Sequence, residues 1–196
     1  MSEPRVRTTA ATILVVALIL TGLWHTGSGA WIYLKAHLAQ VLLQQAWANT
    51  LAGKQDVKLW PWADTWPVAR LVVPSQHIDQ IVLEGAYGRT LAFGPGHAEA
   101  SARPGHKGAM ILTGHRDTHF RFLDRLRPGD EMALQSRIGQ WIHFTVQDRQ
   151  IVDSRITSIR TDVEDTQLVL VTCYPFDAIM PGGPLRYVVT AEASER

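Results

Sequence analysis

The chain has 196 residues, 46% of them hydrophobic and 19% charged, which suits one globular domain with an appendage and excludes a disordered chain. Its net charge is +1, and the 19 basic residues are scattered rather than gathered into a stripe, so a nucleic-acid partner is not expected. A single cysteine, Cys173, excludes an internal disulfide and leaves the redox compartment open.

Arg5 and Arg7 precede an uncharged stretch from Thr8 to Trp24 whose centre, Ile13 to Leu20, is almost purely aliphatic. At roughly 17 residues it sits at the short end for a membrane span and would also suit the core of a signal peptide. Gly27, Ser28, Gly29 and Ala30 supply the small residues a cleavage site would need. A helical pattern resumes directly afterwards, however, and Trp24 and Trp31 suit an interfacial belt, which favours an uncleaved single-pass anchor over residues 9–26. The basic flank puts residues 1–8 in the cytoplasm and the rest of the chain on the periplasmic or extracytoplasmic side of the inner membrane.

Residues 27–66 form a second region. From Trp31 to Leu51 the apolar Ile32, Leu34, Leu38, Val41, Leu42 and Trp47 interleave with Lys35, His37, Gln40, Gln44 and Gln45 at a helical spacing, which predicts an amphipathic helix. Gly53-Lys54-Gln55-Asp56 ends it, and Trp60 to Pro67 is a Trp/Pro-rich connector whose tryptophans are expected to pack on the domain that follows.

After Pro67 the texture changes. Short apolar runs cover Val68 to Val73, Ile78 to Leu83, Gly108 to Thr113, Glu131 to Leu134, Gln140 to Gln147, Ile151 to Val152, Leu168 to Thr172 and Leu185 to Thr190. About eight short strands with little helix between them predict an all-β sandwich or barrel over residues 67–196. Arg127-Pro128-Gly129-Asp130 reads as a turn, Arg137-Ile138-Gly139-Gln140 as a hairpin connection, and Gly94-Pro95-Gly96 as an irregular surface segment.

Strand ends carry the chemistry. Cys173 closes the run Leu168 to Thr172 and is followed by Tyr174-Pro175, which places a thiol at the rim of a sheet as a candidate nucleophile. A lone cysteine is otherwise a small buried hydrophobe. His115 follows another strand and Gly114, a candidate acid or base, with His119 four residues on. Arg186 opens the last apolar run, where a guanidinium needs a partner or a polar cleft; a substrate oxyanion would supply one. A zinc site on His115, His119 and Cys173, with His97 or His106 as fourth ligand, is disfavoured, because the His-x3-His spacing binds metal on a helix and Gly114 and the strand before it argue against one.

Thr113 to Phe120, Leu168 to Phe176 and Leu185 to Val189 together closely resemble the three signature blocks of sortases, membrane-anchored cysteine transpeptidases, and most resemble the small class found in Gram-negative proteobacteria. The resemblance runs from about Trp31 to Glu192 and keeps the order and spacing of the blocks. It implies a closed eight-stranded β-barrel with short helices, preceded by the transmembrane and amphipathic helices, with His115, Cys173 and Arg186 converging at one groove. It implies no cofactor and no catalytic metal. Cys173 would attack the threonine carbonyl of an LPxTG-like signal near the C-terminus of a secreted target protein, and an amine-bearing acceptor would resolve the thioester. Arg116 and Asp117 are supporting residues that set the local field or fix the loop. Thr172 orders the nucleophile or joins the oxyanion site, and His119 rims the groove.

The connection Ser158 to Gln167, with Asp162, Glu164 and Asp165, stands beside the expected groove as a solvated acidic turn in preference to a calcium loop. Phe176 to Pro184 forms the opposite wall. Two other functions use the same residues: a cysteine endopeptidase with water as acceptor, and a non-catalytic membrane-tethered β-barrel binding module with a structural cysteine. An L,D-transpeptidase would need a Ser-x-Gly-Cys element, and Cys173 lacks one.

Overall fold

The computed structural model describes residues 3–180 and 182–194, so Met1 and Ser2 of the expected cytoplasmic segment, and Pro181 of the expected groove wall, lie outside the described residues. The chain divides into two compact units, residues 1–41 and 42–196.

The first unit is helical. Its helix, α1 (Glu3–Leu51), runs without a break where the sequence suggested two separate helices. Gly27 and Gly29 each cost about 1 kcal/mol relative to alanine in a helix, but no proline breaks the ladder there. Thr26 Oγ1 donates to the Gly22 carbonyl at 2.8 Å and Ser28 Oγ to the His25 carbonyl at 3.0 Å, so both hydroxyls are spent inside the helix instead of capping a new one. Apolar side chains from Ile13 to Leu23 are exposed. The helix is long and apolar enough, by length and composition, to cross a membrane.

The second unit begins with the last turns of α1. Leu43, Ala46, Trp47 and Thr50 are buried there, a helical stripe that packs with Leu59, Ala63, Ile81 and Leu83. Gly53 ends the helix as expected. At φ +89° it adopts the left-handed conformation open to glycine. Its N–H donates to the Thr50 carbonyl, and that of Lys54 to the Asn49 carbonyl, which satisfies two otherwise orphaned carbonyls. The connector tryptophans divide. Trp60 stands edge-on to Phe93 at 4.9 Å and Trp66 packs on the barrel core, whereas Trp62 is exposed.

The strands are β1 (Pro67–Val73), β2 (Ile78–Glu84), β3 (Gly96–His97), β4 (Gly108–Thr113), β5 (Glu131–Ser136), β6 (Trp141–Asp153), β7 (Thr166–Cys173) and β8 (Leu185–Ala193). They close a barrel in the order β1-β2-β3-β4-β7-β8-β6-β5. Closure leaves no free sheet edge. Two of the expected strands are in fact one: β6 continues through Asp148-Arg149-Gln150, whose exposed polar side chains interrupt the apolar run but not the pairing with β8. Conversely, β3 arises within the segment read as irregular. A Cβ at Gly96 would stand 2.2 Å from the Gly85 carbonyl oxygen, so glycine is what lets this backbone slot in, parallel to β2 and antiparallel to β4.

Inside, Leu71, Leu112, Leu134, Phe144, Leu168 and Leu170 are fully buried together with Phe120 and Phe122, whose rings meet edge-to-face. Outside, Ala109, Val169 and Val188 are also buried, covered by Ile159 and Val163 of the connection before β7. That connection is therefore an apolar cover carrying an acidic exposed edge, which is more than a solvated turn.

Candidate active site

The rim at the ends of β4 and β7 is tied by its own backbone. The two strands run parallel, with Thr113 beside Val171. One step further, Gly114 N–H donates to the Val171 carbonyl at 3.2 Å, and the buried Thr172 Oγ1 donates to the Gly114 carbonyl at 2.7 Å. The next residue on one chain segment is His115 and on the other Cys173. β8 completes the rim. It pairs antiparallel with β7, and Cys173 stands directly opposite Arg186. Directly opposed residues of an antiparallel pair project from the same face of the sheet, so the thiol and the guanidinium share one face. The next pair inward, Thr172 and Tyr187, takes the other face, where Tyr187 packs on the core.

His115 is exposed, and Cys173 and Arg186 are half-buried. The chain doubles back after His115: the Phe120 N–H reaches the His115 carbonyl at 3.0 Å, and the Phe120 ring fills the space over Gly114. A Cβ at Gly114 would lie 2.7 Å from that ring. Arg186 donates through Nη1 to the carbonyls of Gly183 at 2.8 Å and Leu185 at 2.9 Å, which orients its fork without neutralising its charge.

Each supporting residue has a definite place. Thr172 ties the cysteine strand to the histidine segment through its bond to the Gly114 carbonyl. Arg116 is buried, and its Nη2 donates to the carbonyls of Ala178 at 2.8 Å and Met180 at 3.0 Å, so it fixes the β7–β8 loop. Asp117 is exposed. His119 is half-buried, its carbonyl accepting from Gln80 Nε2 at 3.1 Å. Burial pushes the His119 imidazole below the ordinary histidine range; a hydrogen bond with Ala92 opposes this, and the neighbouring His115 charge adds to it.

Residues given no role from the sequence also stand near the rim. Tyr174, Phe176 and Tyr187 form an aromatic cluster with ring centroids 5.2 to 6.2 Å apart. Arg121 Nη1 donates to the Phe176 carbonyl at 3.3 Å. Tyr187 carried a signal in the alternation of β8; Arg121 carried none. Among the described residues no group of His, Cys, Asp and Glu is placed to hold a metal ion. His97 is instead buried against Glu84, Ser101 and the Ala102 carbonyl. A separate cleft of about 660 Å³, lined by Lys54, Trp66, Arg103 and Ser136 and by none of the rim residues, opens near the start of β1 and the end of β5.

A family model for the sortase domain matches residues 71–194. The curated protein Sortase D of Bacillus subtilis strain 168 is 36% identical over 120 residues, which are 61% of this chain and 60% of that protein. The chain thus aligns with well under two thirds of that relative's length. Among solved structures, sortase C-1 of Actinomyces oris is 31% identical with a TM-score of 0.59, over 66% of this chain and 74% of that one. Sortase A of Corynebacterium diphtheriae gives a TM-score of 0.61 at 23% identity, over 69% and 64% of the two chains, a likeness of fold. A structure of Clostridium perfringens sortase C with the C-terminal cell wall sorting motif gives 0.60 at 17% identity, over 83% and 90%. With the family model matching over half of its length, the chain belongs to the sortase family.

Proposed function

We propose that this protein is a membrane-anchored cysteine transpeptidase with Cys173 as nucleophile, His115 as acid and base, and Arg186 as oxyanion stabiliser. The observation that carries the reading is the juxtaposition of Cys173 with Arg186 across β7 and β8, one residue beyond the bond from Thr172 to Gly114 that brings His115 to the same rim.

The Cys173 thiolate attacks the threonine carbonyl of an LPxTG-like signal. The carbonyl electrons move to oxygen, and the guanidinium of Arg186 stabilises the charge that appears only as the tetrahedral centre forms. The carbon–nitrogen bond to glycine breaks as imidazolium His115 gives its proton to the departing amine, which leaves a thioester. An acceptor amine then adds to the thioester and loses its proton to His115. The carbon–sulfur bond breaks and the thiolate returns. The helix α1 supplies the anchor, with the barrel on the extracytoplasmic side. The narrower likeness to the proteobacterial class rests on the three motif blocks alone; the curated relative is from Bacillus subtilis.

Incubation with a sorting peptide and an added amine, followed by mass spectrometry, tests the reading. A Cys173-bound acyl adduct and a ligated product are expected. Hydrolysed peptide alone assigns the endopeptidase activity, and full turnover by Cys173→Ala removes the nucleophile.

A further inference from the structure

The loop between β7 and β8 joins the strand of Cys173 to the strand of Arg186; Tyr174 and Phe176 at its start pack with Tyr187, but past Phe176 little apolar packing holds it. Asp177, Ile179, Met180, Gly182 and Gly183 are exposed, Ile179 almost completely at 99% and Met180 at 79%. Gly182 and Gly183 have φ of +104° and +85°, so the backbone there is of a kind that other residues rarely adopt. Ser154 takes the Pro184 carbonyl at the far end of the loop, and three carbonyls nearer Cys173 are taken by arginines of the His115 segment. Arg121 takes Phe176 at 3.3 Å, and Arg116 takes Ala178 at 2.8 Å and Met180 at 3.0 Å.

Both of these arginines lie on the short segment that starts at His115, and Arg116 is its immediate neighbour. Arg116 is 9% exposed; its Nη2 meets two main-chain carbonyl dipoles, while its buried Nη1 has no hydrogen-bond partner among the described residues. Burying a guanidinium is costly unless its donors are used. Charge-assisted bonds of this kind are also the stronger ones, and the planar fork of arginine fixes direction as well as distance. The Arg116 side chain therefore bridges from the residue next to His115 to the loop crest.

We infer that Arg116 is a positioning residue which, with Arg121, clasps the β7–β8 loop to the His115 segment, so that the exposed crest Ile179-Met180 stands as a fixed wall of the peptide groove. The groove's role rests on the proposed transpeptidase function; the clasp itself does not.

Hydrogen exchange, peptide kinetics and thiol alkylation on the full chain separate the two. In Arg116→Gln, amides of residues 176–184 should exchange about tenfold faster, the size of effect that losing one or two charge-assisted bonds produces in local opening. The KM for a sorting peptide should rise by about tenfold with a smaller change in kcat, because the wall binds substrate and transition state alike. Alkylation of Cys173 by iodoacetamide should stay within about twofold of the parent, since uniform loss of binding leaves the nucleophile's own reactivity in place. Arg116→Lys, which keeps the charge and reaches one carbonyl, should fall between. Unchanged exchange across 176–184 in a folded Arg116→Gln overturns the clasp, and so does a fall confined to kcat. Should Arg116→Gln not fold, Arg116→Lys and the exposed Arg121→Gln carry the test: faster exchange at the loop supports the clasp, and parental exchange in both overturns it. If the parent turns over no sorting peptide, the proposed function fails while the exchange arm still decides the clasp.

Discussion

Thr172 Oγ1 donates to the main-chain carbonyl of Gly114 at 2.7 Å, a buried bond between residues 58 apart in sequence, each one step before a residue of the proposed catalytic set. Its energetic weight lies in the acceptor: a buried carbonyl that loses its donor keeps the whole desolvation cost. Thr172→Val, close in shape, should therefore lower stability by about 1–3 kcal/mol in urea denaturation. It should also lower peptide turnover, because His115 and Cys173 are no longer held in register. Thr172→Ser retains the donor and should recover most of both. Equal loss in both variants would mean that the methyl packing, and not the bond, matters.

Gly114 is where the histidine segment turns under Phe120. An added methyl would meet the Phe120 ring at 2.7 Å, and that ring is fully buried and edge-on to Phe122, with no room to retreat. Gly114→Ala should cost about 1–3 kcal/mol as an overpacked site. Pairing it with Phe120→Leu, which opens the space, should return part of the activity lost by Gly114→Ala alone. Turnover in the double variant lower than the product of the single effects would show that the clash is not with this ring.

His119 stands beside His115 but is pushed toward its neutral form, first by burial and then by the neighbouring charge, with Ala92 opposing. A neutral imidazole there leaves the imidazolium state of His115 without a like charge at its side. In NMR titrations His119 should bind its proton below pH 6.5, the ordinary histidine value. A His119 midpoint at or above that value would contradict the burial.

How far the sequence revealed this molecule depends on what each residue had to signal. Cys173, His115 and Arg186 were legible because each sits at the end of an apolar run beside strand-breaking neighbours, and because three spaced blocks together are far more specific than any one. The register that sets Cys173 opposite Arg186 was not, since pairing between strands is decided by turns and packing outside either strand. The count of eight strands agreed while two assignments differed. β3 is two residues long and exists because Gly96 lets the Gly85 backbone approach, and β6 carries polar residues where its side chains are exposed on both faces. Arg116 was marked by its place next to His115, but its carbonyl partners more than 60 residues away could be seen only in the fold.

Buried His97 and half-buried Glu84 give the barrel a pH dependence of its own. His97 is 1% exposed; its Nδ1 lies 3.2 Å from Glu84 Oε2, and its Nε2 3.0 Å from the Ala102 carbonyl. Burial alone would push the imidazole down, and Arg103 adds to that, but the hydrogen bond and charge of Glu84 with the Ala102 carbonyl outweigh them and raise its pKa above 6.5. Both ring nitrogens face acceptors, as suits the doubly protonated ring. A raised folded-state pKa contributes stability in full below 6.5, and that contribution is lost as pH rises through the folded value. Glu84→Gln removes the partner that raises the pKa. Urea denaturation should find the variant least stable relative to the parent below pH 6.5, with the gap narrowing as pH rises. A gap that is constant with pH, or widens toward alkaline pH, would show that His97 is neutral in the folded barrel and that Glu84 serves only as a hydrogen-bond acceptor.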